Sequence, residues 1–95
     1  MNDYEPALKS HQRALNIRLK LHGDEHPNTA NSYYSIGLTQ YHMDDYDSAL
    51  KSHQQALKIR LKLHVDEHTA IANSYNWIKA TKYALKTYKS ALQSF

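Results

Sequence analysis

The chain has 95 residues, of which 41% are hydrophobic and 22% charged, and its net charge is +3. This composition suits one small globular domain rather than a disordered chain, and the slight positive charge is too small to indicate nucleic-acid binding. The absence of cysteine excludes disulfides and thiolate metal sites and favours a reducing, cytoplasmic location. No apolar run approaches the roughly 18 residues of a membrane span, and the N-terminal residues lack the apolar core of a signal peptide, so we expect no membrane association.

A repeat of 42 residues runs through the sequence. The segment DYEPALKSHQRALNIRLKLHGDEH begins at Asp3, and its near copy DYDSALKSHQQALKIRLKLHVDEH begins at Asp45. Residues 3–44 and 45–86 are identical at 26 of 42 positions, and a partial third copy covers residues 87–95. Periods of this length are typical of stacked helical units. We therefore predict a single helical-repeat domain over residues 1–95.

The first half of the period has the spacing of an amphipathic helix of about five turns. Asp3 is a suitable N-cap, and Gly23 can adopt the left-handed conformation that ends a helix. The residues that follow the i, i+3, i+4, i+7 spacing are Tyr4, Ala7, Leu8, His11, Ala14, Leu15 and Arg18. We predict the corresponding helix of the second period at about residues 45–64.

The second half of the period predicts another helix, at about residues 28–43. Pro27 suits its first turn. The face predicted to pack holds Ala30, Tyr33, Ile36 and Gly37. A turn is expected at residues 43–45, because aspartate tolerates the left-handed conformation and Asp45 can cap the helix that follows. Short turns between consecutive helices favour an all-α architecture of antiparallel pairs stacked as a solenoid.

The stretch after Thr69 allows two structures. A separate helix at about residues 68–85 would be followed by a turn, with Thr87 as the next N-cap. However, no glycine or proline occurs from Thr69 to Phe95, and the sequence Leu85-Lys86-Thr87 contains nothing that stops a helix. One continuous helix over 69–95 is therefore the alternative that we favour. Its heptad-like seam would hold Ile78, Thr81, Leu85, Tyr88, Leu92 and Phe95.

The residue pattern from Tyr33 to Leu57 resembles that of a known repeat family. Tyr33-x-x-Ile36-Gly37, followed by Asp45-Tyr46, Ala49-x-x-x-His53 and Ala56-Leu57, resembles the tetratricopeptide repeat, whose pattern is Trp-x-x-Leu-Gly-x-x-Tyr followed by Ala-x-x-x-Phe. The longer period and the Gly-Asp-Glu-His-Pro loop at residues 23–27 resemble the kinesin light chain and nephrocystin branch of that family. The resemblance implies an α-solenoid that binds other proteins.

Several positions depart from the family pattern, and Gln40 and Lys82 stand where that pattern has tyrosine. His11 and His53 stand where the pattern has phenylalanine, and we expect both to be half-buried spacers between helices. Lys79 takes the place of Gly37 in the second period and puts a bulky charge where helices usually approach closely. The second copy of this helix is thus expected to pack differently from the first.

The resemblance also implies which residues meet a partner. In proteins with these repeats, the first helix of each pair lines the concave surface. Asparagine can bridge the N–H and C=O groups of an extended peptide, and tyrosine and tryptophan are frequent interface hot spots. We predict that a protein or peptide binds here, and we call the following residues the partner surface: Asn31, Tyr34, Ser35, Leu38, Tyr41 and His42 of the first period, with Asn73, Asn76, Trp77, Ala80 and Tyr83 of the second.

The seven histidines do not predict a zinc enzyme. The motif H-x-x-E-H occurs at residues 22–26 and 64–68. Zinc chemistry needs both histidines on one helical face with a third ligand, whereas both copies fall between predicted helices and recur at the repeat period. The sequence has no phosphate-binding glycine loop and no serine in a nucleophile elbow. We therefore predict a non-enzymatic protein without cofactor or metal.

The sequence predicts two further surfaces. The basic residues expected on the outer face are Lys9, Arg13, Lys20, Lys51, Lys58 and Lys62, and we interpret them as a solvated face, with nucleic-acid binding as the alternative. Apolar stripes at both ends, the first built on Leu8, Leu15 and Leu19, should remain uncovered. They predict a homo-oligomer, most simply a dimer that exchanges a helix between subunits.

Overall fold

A computed structural model of the chain describes residues 3–63 and 68–93. The described residues form four α-helices and no strand, which confirms the all-α architecture. The helices are α1 (Tyr4–His22), α2 (Pro27–His42), α3 (Tyr46–Lys62) and α4 (His68–Gln93). Each packs against the next one in the chain, so α3 lies between α2 and α4. Of the helices described, none is both long enough and apolar enough to cross a bilayer.

The turn between α1 and α2 is fixed by residues of the loop and of the first turn of α2. Gly23 has a φ of 78°, the positive value expected at this position, and its carbonyl accepts a hydrogen bond from Thr29 Oγ1 at 2.9 Å. Pro27 is the first residue of α2, as predicted. The N-cap of α2 is His26, whose Nδ1 accepts a hydrogen bond from the Asn28 backbone N–H at 3.0 Å. A histidine cap could not be predicted from the usual capping preferences.

The turn between α2 and α3 uses the left-handed region at Asp44, where φ is 63°. This confirms the expectation for residues 43–45. The prediction that Asp3 and Asp45 cap the following helices is only half right. Both occupy the N-cap positions of α1 and α3, but neither side chain makes the capping hydrogen bond. Their backbone angles (φ near −90°, ψ near 75°) accompany this lack of a side-chain cap.

The core is built from small residues along the two central helices. Its fully buried or nearly buried apolar side chains are Ala30, Ile36, Ala49, Ala56 and Ile59. Small side chains let helix axes approach closely. Two buried hydroxyls are satisfied within their own helices: Thr39 and Thr81 donate to the carbonyls of Ser35 and Trp77, four residues earlier, at 2.9 and 2.6 Å.

Helix α4 runs without a break through residues 85–87, which confirms the continuous helix and shows that a separate helix ending at residue 85 is wrong. Its heptad-like seam is buried at one end only. Thr81 is inaccessible and Leu85 is half-buried, whereas Tyr88 and Leu92 are 51% and 56% exposed. Phe95 lies outside the described residues. The last turns of α4 thus extend beyond the core formed with α3.

Helix α1 has no fully buried residue. Leu8, Leu15 and Leu19 are half-buried, so the expectation that this stripe is uncovered is wrong in part. The exposed apolar side chains of α1 are Ile17 and Leu21. They lie outside the stripe that contacts α2.

Candidate functional site

All eleven residues of the partner surface are at least partly accessible. Asn31, Asn73, Asn76 and Tyr83 are exposed. The half-buried members are Tyr34, Ser35, Leu38, Tyr41, Trp77 and Ala80, and His42 beside them is exposed. The structure brings several of these residues into contact across the helices, although α2 and α4 are separated in the stack by α3.

Trp77 joins the two helices of this surface. Its ring meets the Tyr41 ring edge-on, with 5.1 Å between centroids, and lies 6.4 Å from the ring of His42. On its other side Trp77 stacks on His53 of α3, with centroids 5.7 Å apart and ring planes only 13° from parallel. The Tyr34 ring meets the same imidazole edge-on at 5.5 Å. His53 therefore fixes one aromatic side chain from α2 and one from α4.

His53 is completely buried, so the expectation of a half-buried spacer is wrong for this residue, whereas His11 is half-buried as predicted. Within the described part of the chain neither ring nitrogen of His53 has a hydrogen-bond partner. Burial, together with the nearby positive charge of Arg60, lowers the pKa of His53 from 6.5 to about 4. The imidazole is thus neutral at pH 7 and acts as an aromatic spacer.

Gly37 makes room for this imidazole. A Cβ atom at position 37 would lie 2.7 Å from His53 Nε2 and within 2.9 Å of two ring carbons. Real Cβ atoms do not approach so closely, and a ring held by two aromatic neighbours cannot easily move away. The glycine of the family pattern is therefore required here by direct contact between α2 and α3.

Arg60 contacts two members of the partner surface and the start of α4. It is almost completely buried, and its Nη1 donates to the Ala70 carbonyl at 2.9 Å and to Ser74 Oγ at 2.7 Å. Its Nη2 donates to Asn31 Oδ1 at 3.2 Å. The guanidinium carbon lies 4.7 Å from the centre of the Tyr34 ring, within cation–π distance. Arg60 thus ties α3 to both helices of the partner surface.

The same arginine contact occurs one period earlier. Arg18 Nη1 donates to the Asn28 carbonyl at 3.0 Å and to Ser32 Oγ at 2.8 Å. Arg18 and Arg60 are 42 residues apart, as are Ser32 and Ser74. Our sequence reasoning missed this arginine–serine clamp, although the identity of both residues across the repeat was a usable signal. The clamp holds α1 to the start of α2 and α3 to the start of α4.

A groove of about 390 Å³ extends the partner surface towards the end of α4. Its lining residues are Tyr41, Tyr46, Tyr83, Ala84, Thr87, Tyr88 and Ala91. The Tyr46 hydroxyl donates to Asp44 Oδ1 at 3.0 Å, and this hydrogen bond to a carboxylate raises the pKa of Tyr46. Four aromatic rings therefore form the walls, and two of them, Tyr41 and Tyr83, are predicted partner residues.

The histidine motif at residues 22–26 has a structural role. The rings of His22 and His26 stack with 4.0 Å between centroids, one at the end of α1 and the other at the cap of α2. Most of the second copy, at residues 64–67, lies outside the described residues. Among the residues that the structure describes, no three His, Asp or Glu side chains are grouped as metal ligands would be.

The six basic residues of the outer face are all exposed. Lys62 forms an ion pair with Glu25, and this contact raises the pKa of Lys62. An exposed pair of this kind contributes little to stability. The arrangement fits a solvated face.

Comparisons with known proteins agree with the helical repeat. The search of curated proteins and the search of solved structures gave no match. A family model described as tetratricopeptide repeat matches residues 1–62, which is about two thirds of the chain and ends at the last residue of α3. The chain therefore belongs to the tetratricopeptide repeat family.

Proposed function

We propose that the chain is a non-enzymatic scaffold that binds an extended segment of another protein on the partner surface of α2 and α4. Members of the tetratricopeptide repeat family generally mediate contacts between proteins. The observation that carries the proposal is the set of aromatic side chains held by His53 beside exposed asparagines. Rigid aromatic rings offer contact area at little cost in conformational entropy.

The asparagines can supply the polar contacts to such a segment. Arg60 donates to Asn31 Oδ1 and so orients this amide with its two N–H groups available to a partner carbonyl. Asn73 and Asn76 are exposed on α4 and can pair with backbone groups of the same segment. Together with the edge-on contact between Tyr41 and Trp77, this gives a surface of apolar contacts with polar groups along its edge.

We also propose that the chain belongs to the kinesin light chain and nephrocystin branch of the family. The 42-residue period and the loop Gly-Asp-Glu-His-Pro support this assignment. Residues of that loop have defined roles in the turn, since Gly23 supplies a positive φ, His26 caps α2 and Pro27 begins it. The division into periods 3–44, 45–86 and 87–95 within one domain, and the cytoplasmic location, remain predictions.

A selection experiment tests the proposed function. A phage library of unstructured peptides would be selected on the immobilised chain, and affinities of the selected peptides measured by fluorescence anisotropy. The variant Asn73→Ala/Asn76→Ala/Tyr83→Ala removes only exposed side chains and should fold normally. Loss of one aromatic and two amide contacts should weaken binding roughly tenfold or more.

The matched control changes three exposed residues on the other helices, Lys9→Ala, Lys51→Ala and Lys58→Ala. This variant should bind the selected peptides as the unchanged chain does. Failure to select any peptide, or equal binding by both triple variants, would contradict the proposal.

Self-assembly is the second candidate function. It is favoured by the exposure of Tyr88 and Leu92 at the end of α4, where each of these apolar side chains is more than half exposed. Light scattering across micromolar concentrations decides it, because a dimer should dissociate to half its mass on dilution. Nucleic-acid binding by the outer lysines stays an alternative, and it predicts an affinity that falls steeply with salt.

A further inference from the structure

The positive charge of the chain is concentrated on α4. This helix contains four of the twelve Lys and Arg residues and none of the nine acidic residues. The other eight basic residues are outnumbered by the acidic ones, so the net charge of +3 is due entirely to α4. Its lysines are Lys79, Lys82, Lys86 and Lys89, all exposed, and within the described part of the chain none of them forms an ion pair.

These lysines form a single stripe. Their spacing of three, four and three residues keeps them on one side of a helix over about 15 Å. Lys82, Lys86 and Lys89 border a shallow groove of about 380 Å³ that Leu85 and Ser90 also line. Half-buried Ile78 and Leu85 and exposed Leu92 run beside the stripe. A basic row next to an apolar row is the complement of an acidic amphipathic helix.

The repeat shows that this face is built to receive a helix. The positions equivalent to Gly37 and Gln40 of α2 are Lys79 and Lys82 of α4, one period later. In α2 these positions are covered by α3, since Gly37 lies against His53 and Gln40 Oε1 accepts a hydrogen bond from Ser52 at 2.7 Å. The face of α2 that contains Gly37 and Gln40 packs against a helix. The equivalent face of α4, which contains Lys79 and Lys82, therefore also has the position of a helix-packing face.

On α4 this face is open. Tyr75, the equivalent of half-buried Tyr33, is 52% exposed, and Lys79 is exposed where Gly37 is buried. Because α4 continues straight through residues 85–87, the chain does not turn back there to cover it. The lysines also exclude a neutral helix packed as tightly as α3, since a side chain at the glycine position needs both space and a counter-charge.

We propose that the stripe Lys79–Lys82–Lys86–Lys89 docks an acidic amphipathic α-helix of another protein, placed on α4 roughly as α3 is placed on α2. Carboxylates of the partner pair with the lysines, and its apolar side chains cover Ile78, Leu85 and Leu92. A second copy of α4 does not fit, because it would oppose lysine to lysine. The stripe borders the partner surface along α4, since Asn76 and Tyr83 are three and four residues from Lys79, but the stripe itself faces the side of α4 that corresponds to the α3-covered side of α2.

A selection with counter-selection tests the proposal. A phage library of 20-residue helical peptides, with a fixed leucine row and random flanking positions, is selected on the unchanged chain and depleted on Lys79→Gln/Lys82→Gln/Lys86→Gln/Lys89→Gln. We expect glutamate and aspartate to be enriched beside the leucine row. The selected peptides should lose roughly tenfold or more in affinity on the quadruple variant, measured by anisotropy at 150 mM salt.

Two controls separate docking from general attraction. The variant Lys9→Gln/Lys20→Gln/Lys51→Gln/Lys58→Gln removes the same charge from α1 and α3 and should bind as the unchanged chain does. A selected peptide with two central prolines keeps its charge but not its helix, and it should not bind. Peptides without acidic enrichment, equal loss in both quadruple variants, or undiminished binding of the proline peptide would each overturn the proposal.

Other occupants give different results. If single-stranded DNA or phosphatidylserine vesicles bind more tightly than the selected helices and depend on the same four lysines, the face is a general anion surface and the proposal is wrong. If the unchanged chain forms a dimer that Lys79→Gln/Lys82→Gln/Lys86→Gln/Lys89→Gln strengthens, the occupant is a second copy, which also refutes it.

Discussion

The stability of the fold should depend on pH through His53. The imidazole is inaccessible, packed between Tyr34 and Trp77, and its pKa is lowered from 6.5 to about 4. Above pH 6.5 it is neutral in the folded and the unfolded chain and has no effect on the pH dependence. Between pH 6.5 and 4 the unfolded chain takes up a proton that the folded chain does not. Acidification therefore favours unfolding.

The size of the effect follows from the difference in pKa. About 2.5 pKa units between the two states correspond to about 3 kcal/mol in the free energy of unfolding, lost as the pH falls from 7 to 4. Small domains are stable by only about 5–15 kcal/mol, so a loss of this size is easily measured. Urea unfolding followed by circular dichroism at pH 7, 6, 5 and 4 gives the free energy at each pH.

Comparison with His53→Phe isolates this contribution. Phenylalanine is the residue of the family pattern at this position, and it does not titrate. The free energies of the two proteins should diverge by about 3 kcal/mol in favour of the variant as the pH is lowered from 7 to 4. His11→Phe, the same substitution one period earlier and outside the aromatic cluster, is the matched control. Parallel pH profiles for His53→Phe and the unchanged chain would refute the reasoning.

Two other substitutions test the contacts of α3. Gly37→Ala should destabilise the chain by up to about 2 kcal/mol, because the overlap with His53 costs about 1–3 kcal/mol and the gain in helix propensity offsets about 1 kcal/mol of it. In the His53→Ala background the same change should stabilise, and an unchanged sign in urea unfolding would contradict the contact. Arg60→Lys should cost about 2 kcal/mol, because lysine cannot reach Ala70 and Asn31 together. Arg18→Lys, at the less buried copy of the clamp, should cost less, and equal thermal shifts for the two variants would contradict this ranking.

The helices could be predicted from the sequence because their ends are marked locally. Gly23, Pro27 and Asp44 each set a boundary through its own backbone preference, and the observed ends lie within two residues of the predicted ones. The continuity of α4 followed from the same logic, since residues 85–87 offer no left-handed or proline position. Local chemistry decides such features, so one sequence is enough.

The features that were predicted wrongly or missed depend on tertiary contacts. Nothing local indicates that His26 caps α2 or that the side chains of Asp3 and Asp45 do not cap their helices. The complete burial of His53 depends on Trp77, which comes 24 residues later in the sequence. Side-chain hydrogen bonds and burial depend on which helices pack together. The periodicity of a sequence predicts which face of a helix is buried, but not which other helix covers it.

The differences between α2 and α4 are best explained as one structural change. Glycine is required at position 37 only because the His53 imidazole lies against it, and a helix that is not covered in this way can carry lysine at the equivalent position without strain. The turn at Asp44 brings α3 back over α2, whereas α4 has no turn at residues 85–87 and nothing in the described chain returns over Lys79. The family match also ends at residue 62, before α4 begins. Compared with α2, α4 has no turn after it, has Lys79 in place of glycine and carries four lysines, and these differences affect the same face. This is the face that would pack against the next helix of the repeat, and in α4 it is instead suited to an acidic helix of a partner.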